Sequence, residues 1–256
     1  MTVRRLTLTV LPGIPLVRPG DDLCRIVLDG LAAAGEALQS GDVLVLAQKI
    51  VSKSEGRYAR LSDVTPSERA VALAGEVDKD PRLVELILSE ASEVVRHRPG
   101  VLIVAHRLGF VLANAGIDHS NVEQEDGDET VLMLPENPDG SAAALAAGLR
   151  DRTGAEVAVV INDSLGRAWR NGSVGIAIGT HGLEALVDLR GKADLFGRPL
   201  QVTLVGFADE LAAAASLLQG QAAEGTPIVL VRGLPRSGVS ASATELVRAK
   251  DQDLFR

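Results

Sequence analysis

The chain has 256 residues, 46% hydrophobic and 23% charged, with 26 basic against 34 acidic side chains and a formal charge of −8. That length suits one large domain or two modest ones and buries a core without staples. The acidic balance excludes a non-specific nucleic-acid binder, and an aromatic content of 2% leaves no base-stacking platform. A single cysteine, Cys24, excludes an internal disulfide and a multi-cysteine zinc centre, and its amphipathic setting reads as a buried thiol. No apolar run approaches the roughly 20 residues of a membrane span. The alternating N-terminus lacks the apolar core of a signal peptide, so a cytoplasmic protein with no membrane partner is expected.

Leu6, Leu8 and Val10 alternate with threonines as a half-buried strand. Asp21 and Asp22 then cap a helix with the apolar face Leu23, Ile26, Val27, Leu31, Ala34 and Leu38, ended by Gly41. Residues 42–47 read as a buried strand. From Thr65 to Arg96 the pattern is helical: one helix starts at Thr65-Pro66-Ser67-Glu68, and a second has Pro81 at its first position and buries Leu83, Leu86, Ile87, Ala91 and Val94. Residues 101–104 and 109–112 form a hairpin across a turn. The acidic stretch 123–129 reads as a solvated loop rather than a metal cage. A helix from Ser141 to Gly154, a strand 157–161, a strand 202–205, an alanine-rich helix 209–218 and a strand 228–231 complete the chain. Hairpins with segregated helices point to an α+β protein rather than a doubly wound sheet, with one domain over 1–256 and a helical and hairpin subdomain near 62–135.

Neither G-x-x-x-x-G-K-[ST] nor a post-strand G-x-G-x-x-G occurs, so a nucleotide would bind without a Walker or Rossmann loop. Four polar segments are the candidate site. Gln48 to Arg57 carries Lys49, Lys53 and Arg57 with two serines, a set suited to a polyphosphate or to a plain solvated loop. Asn114 to Val122 offers Asp118 and Asn121 as hard oxygen donors for Mg²⁺ or Mn²⁺, or as a side-chain-capped turn. Asp163-Ser164 follows a buried strand and precedes Arg167 and Arg170. A carboxylate beside a hydroxyl is a divalent-metal pair, and the arginines would neutralise phosphoryl oxygens. Trp169 reads as packing, and Gly175 and Gly179 as turns or points of close backbone approach. Gln219 to Thr226 is a helix stop or a small-residue loop moulded to a nucleotide. No histidine pair has zinc spacing, and His119 reads as a bystander.

In order, these segments resemble the coenzyme F420-0:L-glutamate ligase family. The resemblance is carried by Leu11-Pro12-Gly13-Ile14-Pro15-Leu16, Gly20-Asp21-Asp22-Leu23, Val51-Ser52-Lys53-Ser54-Glu55-Gly56-Arg57, Asn114 to Val122 and Asp163 to Gly172. It continues in Asp194-Leu195-Phe196-Gly197-Arg198, Ala208-Asp209-Glu210 and Val231-Arg232-Gly233, so it spans nearly the whole chain. It implies a mixed α/β fold of two interleaved subdomains, a homodimer, and a ligation of L-glutamate to coenzyme F420-0 that uses GTP, Mg²⁺ or Mn²⁺, and potassium. The implied intermediate is an acyl phosphate. By the resemblance Asp118, Asp163 and Ser164 hold the metal, and Ile14, Pro15, Leu16, Val17, Gln48, Lys49, Lys53 and Asn121 contact the nucleotide. The loop Gln219, Gly220, Gln221, Ala222, Ala223, Glu224, Gly225 and Thr226 joins those contacts, while Asp163, Arg167 and Lys53 carry the chemistry. Two positions depart from the pattern: Gln221 stands where relatives place a glutamate metal ligand, with Glu224 as the substitute, and Ser164 replaces threonine. The alternatives are a related amide ligase with another acceptor and a non-catalytic coenzyme-binding scaffold.

Overall fold

The computed structural model describes residues 5–124, 128–235 and 239–254. Its first half runs β1 (Thr7–Val10), α1 (Leu23–Ala33), β2 (Val43–Ala47), α2 (Gln48–Ser54), β3 (Tyr58–Arg60), α3 (Glu68–Val77), α4 (Pro81–Ser89), β4 (Ala91–Arg98), β5 (Val101–His106), β6 (Val111–Ala113) and β7 (Thr130–Leu132). The second half adds α5 (Pro138–Thr153), β8 (Ala158–Arg167), β9 (Arg170–His181), β10 (Val187–Asp188), β11 (Leu204–Val205), α6 (Phe207–Gln219) and β12 (Ile228–Arg232). Five strands form the central sheet in the order β1-β12-β2-β8-β9. Only β2 and β8 run parallel; the other pairs are antiparallel. The protein is therefore α+β, with no doubly wound sheet.

Side chains alternate across the pleat, which splits the sheet between two cores. Leu44, Leu46, Val159, Ile161, Leu165, Ile228 and Leu230 face α1 and α5. Val43, Val45, Ala158, Val160, Val229 and Val231 face α6 through Ala208, Leu211, Ala212 and Ala215. A third core lies between α2 and α5 in sequence, where Leu73, Ala74, Val84 and Ile87 pack on Leu102, Val104 and Val131. Two glycines of β9 let helices approach the sheet. A Cβ on Gly175 would stand 2.5 Å from the Ala212 carbonyl oxygen, and one on Gly179 2.5 Å from the Pro138 backbone. Gly179→Ala is expected to push α5 off the sheet and cost about 1–3 kcal/mol, as overpacking does; a urea unfolding curve measures it.

Several local expectations need correction. The first helix ends at Ala33 rather than Gly41, because the chain turns through Gly35 and is held by Asp42, whose Oδ2 accepts from the Gln39 N–H at 2.8 Å. Residues 48–54 are helix rather than loop: burial of Ile50 and Val51 stabilises seven residues that have no side-chain N-cap. Ala91 and Val94 lie in β4, not in the preceding helix, since pairing with β5 captures the β-branched run. The helix expected from Ser141, α5, starts three residues earlier at Pro138 under the Asn137 cap. Trp169 lies outside the core, 84% exposed at the β8–β9 tip with φ 65°. Cys24 is half-buried, and its thiol donates to the Leu145 carbonyl. Residues 125–127 of the acidic stretch lie outside the described residues, while Asp128 accepts from the Ser62 hydroxyl at 2.7 Å.

An ion cluster joins the third core to the rest. Glu90, 12% exposed, meets Arg57 at 3.1 Å, Arg107 at 3.0 Å and His106 Nε2 at 3.3 Å. The Leu108 N–H donates to His106 Nδ1, which leaves Nε2 facing the carboxylate. Arg57 also donates to the Leu134 carbonyl and Arg107 to that of Glu136, so the cluster spans the segment leading into α5.

Candidate functional site

The parallel pair β2–β8 sets Ala47 opposite Asn162. The next residue of each strand is Gln48, opening α2, and Asp163, so the helix start and the acid emerge side by side at one end of the sheet. Ser164 is exposed beside it, and its N–H donates to Asp163 Oδ1 at 2.8 Å. Asp163 and Ser164 thus lie in a strand, not in the loop that the sequence pattern implies; the hairpin continues to Arg167, opposite Arg170. Asp163 lies on the same face as Ile161 and Leu165, and Asn162 on the α6 face.

Lys49 and Lys53 are one helical turn apart and therefore share a face of α2. Both reach the segment after β6. Lys49 Nζ donates to Asp118 Oδ2 at 2.8 Å, to the Ser120 carbonyl at 3.1 Å and to the Ser120 hydroxyl. Lys53 Nζ donates to the Asn121 carbonyl at 2.5 Å. Asp118 is tied to β7 through paired backbone hydrogen bonds with Leu132, and it accepts from the Ser120 N–H and hydroxyl. Asn114 and Ala115 both have φ 53°, a left-handed stretch that costs energy for non-glycine residues and delivers Asp118. Asn121 closes the circle: its Nδ2 donates to the Ala222 carbonyl at 3.1 Å. Segments separated by up to about 170 residues along the chain therefore converge, with α2 on 118–121, that turn on 220–226, and Asp163 beside both.

The charges respond to this crowding. Burial raises the Asp163 carboxyl to about 6; the Ser164 N–H and the Lys49 ammonium oppose the rise, and the negative charge of Asp118 adds to it. Asp118 goes the other way: burial resists its ionisation, yet the Lys49 and Ser120 donors hold its carboxyl below the usual range. Burial, then the Lys49 charge, lowers the Lys53 ammonium. Two carboxylates that sense each other and share a lysine can accept a cation between them. Among the described residues no group of three or more His, Cys, Asp or Glu side chains gathers. The donor set is thus two carboxylates, both hard oxygens, the pattern Mg²⁺ accepts when waters and substrate phosphates complete its shell; the Ser164 side chain, next along β8, lies on the α6 face with Asn162.

The remaining expected residues are placed as follows. Ile14 and Val17 turn into the core below α1, leaving Pro15 and Leu16 exposed, and the Gly20 N–H donates to Ser54 at the end of α2. Gln48 is buried and accepts from the Ser52 hydroxyl. Gln221 is exposed. Glu224 folds back on its loop, accepting from the Ala222 N–H at 2.7 Å. Gln219 faces inward, with its amide committed to internal hydrogen bonds. His119 turns to Glu129, 2.8 Å away. Sequence reasoning passed over Ser120, which braces Asp118 and Lys49, and Asn162. The polar asparagine ending an apolar strand was the available signal for the latter.

A family model described as F420-0:gamma-glutamyl ligase matches residues 13–233. A protein of Methanothermobacter thermautotrophicus named coenzyme F420:L-glutamate ligase is 44% identical over 98% of this chain and 99% of its own length. Proteins of the same name from Methanopyrus kandleri and Archaeoglobus fulgidus are 44% and 41% identical, covering 98% and 95% of this chain and 98% and 94% of their own.

Proposed function

The chain belongs to the F420-0:gamma-glutamyl ligase family, and we propose that it joins L-glutamate to the terminal carboxylate of coenzyme F420-0 at the expense of GTP. The observation that carries this reading is the convergence of Lys49, Lys53, Asp118 and Asp163 from three distant segments. A free carboxylate is a poor electrophile, so it is first phosphorylated: its oxygen takes the γ-phosphoryl group and GDP leaves. The amine of glutamate then attacks the acyl carbon, the amide bond forms, inorganic phosphate departs with the acyl C–O bond broken, and the amine sheds a proton. Positioning and charge neutralisation are what a protein contributes to such transfers.

Lys49 and Lys53 exchange their present carbonyl and carboxylate partners for phosphate oxygens. Arg167, four residues beyond Asp163 on β8, neutralises charge on the transferring group. Asp118, Asp163 and Ser164 would hold Mg²⁺ or Mn²⁺, with Gln221 or Glu224 as candidates for a further oxygen; when bound, the ion supplies charge neutralisation to the phosphates. Pro15, Leu16, Asn121 and the loop 220–226 complete the nucleotide surface, with Ile14, Val17, Gln48 and Gln219 supporting it from below. A homodimer, a potassium requirement and a cytoplasmic location belong to the same reading.

The test is a reaction of the protein with GTP, Mn²⁺, L-glutamate and coenzyme F420-0, followed by mass. Glutamate addition with GDP release is expected, and no addition overturns the reading. Lys53→Ala is expected to raise the KM for GTP about 10- to 100-fold, the worth of one charge-assisted hydrogen bond; initial rates over a GTP series measure it.

A further inference from the structure

We propose that Asn162 and Gln219 are positioning residues: a buried amide pair that pins the neck of the 220–226 loop to the strand bearing Asp163 and so sets nucleotide affinity. The inference rests on the functional reading above. Asn162 is 5% and Gln219 8% exposed, so neither side chain can itself meet a ligand. Asn162 Nδ2 donates to Gln219 Oε1 at 2.6 Å, and Gln219 Nε2 donates to the carbonyls of Val45 at 3.2 Å and Pro227 at 3.1 Å.

Pro227 lies just past the far end of the loop, and Gln219 is the residue just before its start. One side chain therefore closes the loop at its base. The Thr226 hydroxyl repeats the closure by donating to the carbonyls of Leu218 and Gln219. The same Pro227 carbonyl accepts from the Ala47 N–H, one residue before α2. The pair thus meets β2, β8 and the loop at once, next to Gln48 and Asp163.

Stability alone does not account for the arrangement. Asn162 Oδ1 is buried with no hydrogen-bond partner among the described residues and lies against Gly175, where a Cβ would come within 2.7 Å of it. An unmatched buried acceptor is destabilising, and an apolar pair of the same shape would avoid the cost. What the amides add is direction, since hydrogen bonds orient the loop in a way that apolar contacts do not.

Three variants test this: Gln219→Met, Asn162→Leu and their double. A fourth, Gln219→Asn, keeps a buried amide too short to span to Pro227. Each single change is expected to weaken GDP binding in the presence of Mn²⁺ about tenfold, and to raise the KM for GTP by that factor with a smaller fall in kcat. The double variant should be no weaker than the worse single, because one unit is broken either way. Hydrogen exchange of the amides at 221–225 should quicken while β2 and β12 keep their protection. Nucleotide affinities that fall additively, or unchanged exchange at 221–225 in a folded variant, overturn the proposal. Should Gln219→Met not fold, Gln219→Asn decides by the same exchange measurement. A wild-type protein that binds no GDP defeats the functional reading instead, and the exchange data still decide the role of the pair.

Discussion

Replacing Asp163 with asparagine is expected to lower ligation about a thousandfold, the scale of losing one preorganised electrostatic group, while the cation-free protein melts higher than wild type. The two effects share a cause. Burial beside Asp118 raises this carboxyl to about 6 from 3.8, so the folded state prefers it protonated. For an acid raised in this way, the folded state is favoured at low pH, and stability falls as pH climbs from about 3.8 to 6. At neutral pH the charge is therefore a liability to the fold, and asparagine removes it. A site that holds an unfavourable charge in readiness for a cation trades stability for function. Melting curves with and without Mn²⁺ check this: the ion should raise the wild-type midpoint and leave that of Asp163→Asn unmoved. An Asp163→Asn protein with wild-type turnover contradicts the metal assignment.

The largest effect on stability is expected at Glu90. Glu90→Ala leaves Arg57 and Arg107 facing a partly buried gap, at a cost of about 3–5 kcal/mol, as when one partner of a buried ion pair is removed. Contact with His106, ahead of the opposing burial and the charges of Arg107 and Arg57, takes the Glu90 carboxyl down from 4.5 to about 2. A depressed acid stabilises the folded state above its unfolded value and loses that contribution as pH falls through its folded value. The wild-type protein should accordingly lose on the order of 3 kcal/mol between about pH 4.5 and 2. Glu90→Gln, which cannot ionise, should show a flatter acid limb. Urea unfolding at a series of pH values separates the two, and a Glu90→Gln profile parallel to wild type removes Glu90 as the cause.

Much of this molecule was legible from its sequence. Alternation marked β1, continuous apolar runs marked β2 and β12, and proline with an acidic cap marked α4, because those signals are local and the physics behind them acts over a few residues. The absence of a glycine-rich phosphate loop, the hard-oxygen character of Asp118 and Asp163, and the resemblance to the ligase family were equally open to reading. Helix α2 was not, since its seven residues fold through burial against the sheet rather than by propensity. Nor was β4, where pairing with β5 overrode a helical period. Trp169 shows the same limit in reverse: an aromatic side chain that suggests a core position is carried out to an exposed hairpin tip by the length of β8 and β9.

Residue types and their order along the chain determined which chemistry the protein can attempt. Tertiary structure decided where that chemistry meets. Only the parallel register of β2 and β8 sets Gln48 beside Asp163. Only the left-handed turn at 114–115 carries Asp118 to Lys49, and Gln219, buried beside β2, ties the base of the loop that Asn121 touches to the Val45 carbonyl. These are contacts between residues about 60 to 180 positions apart, and no local pattern encodes a long-range distance; it follows from how three cores pack against one another.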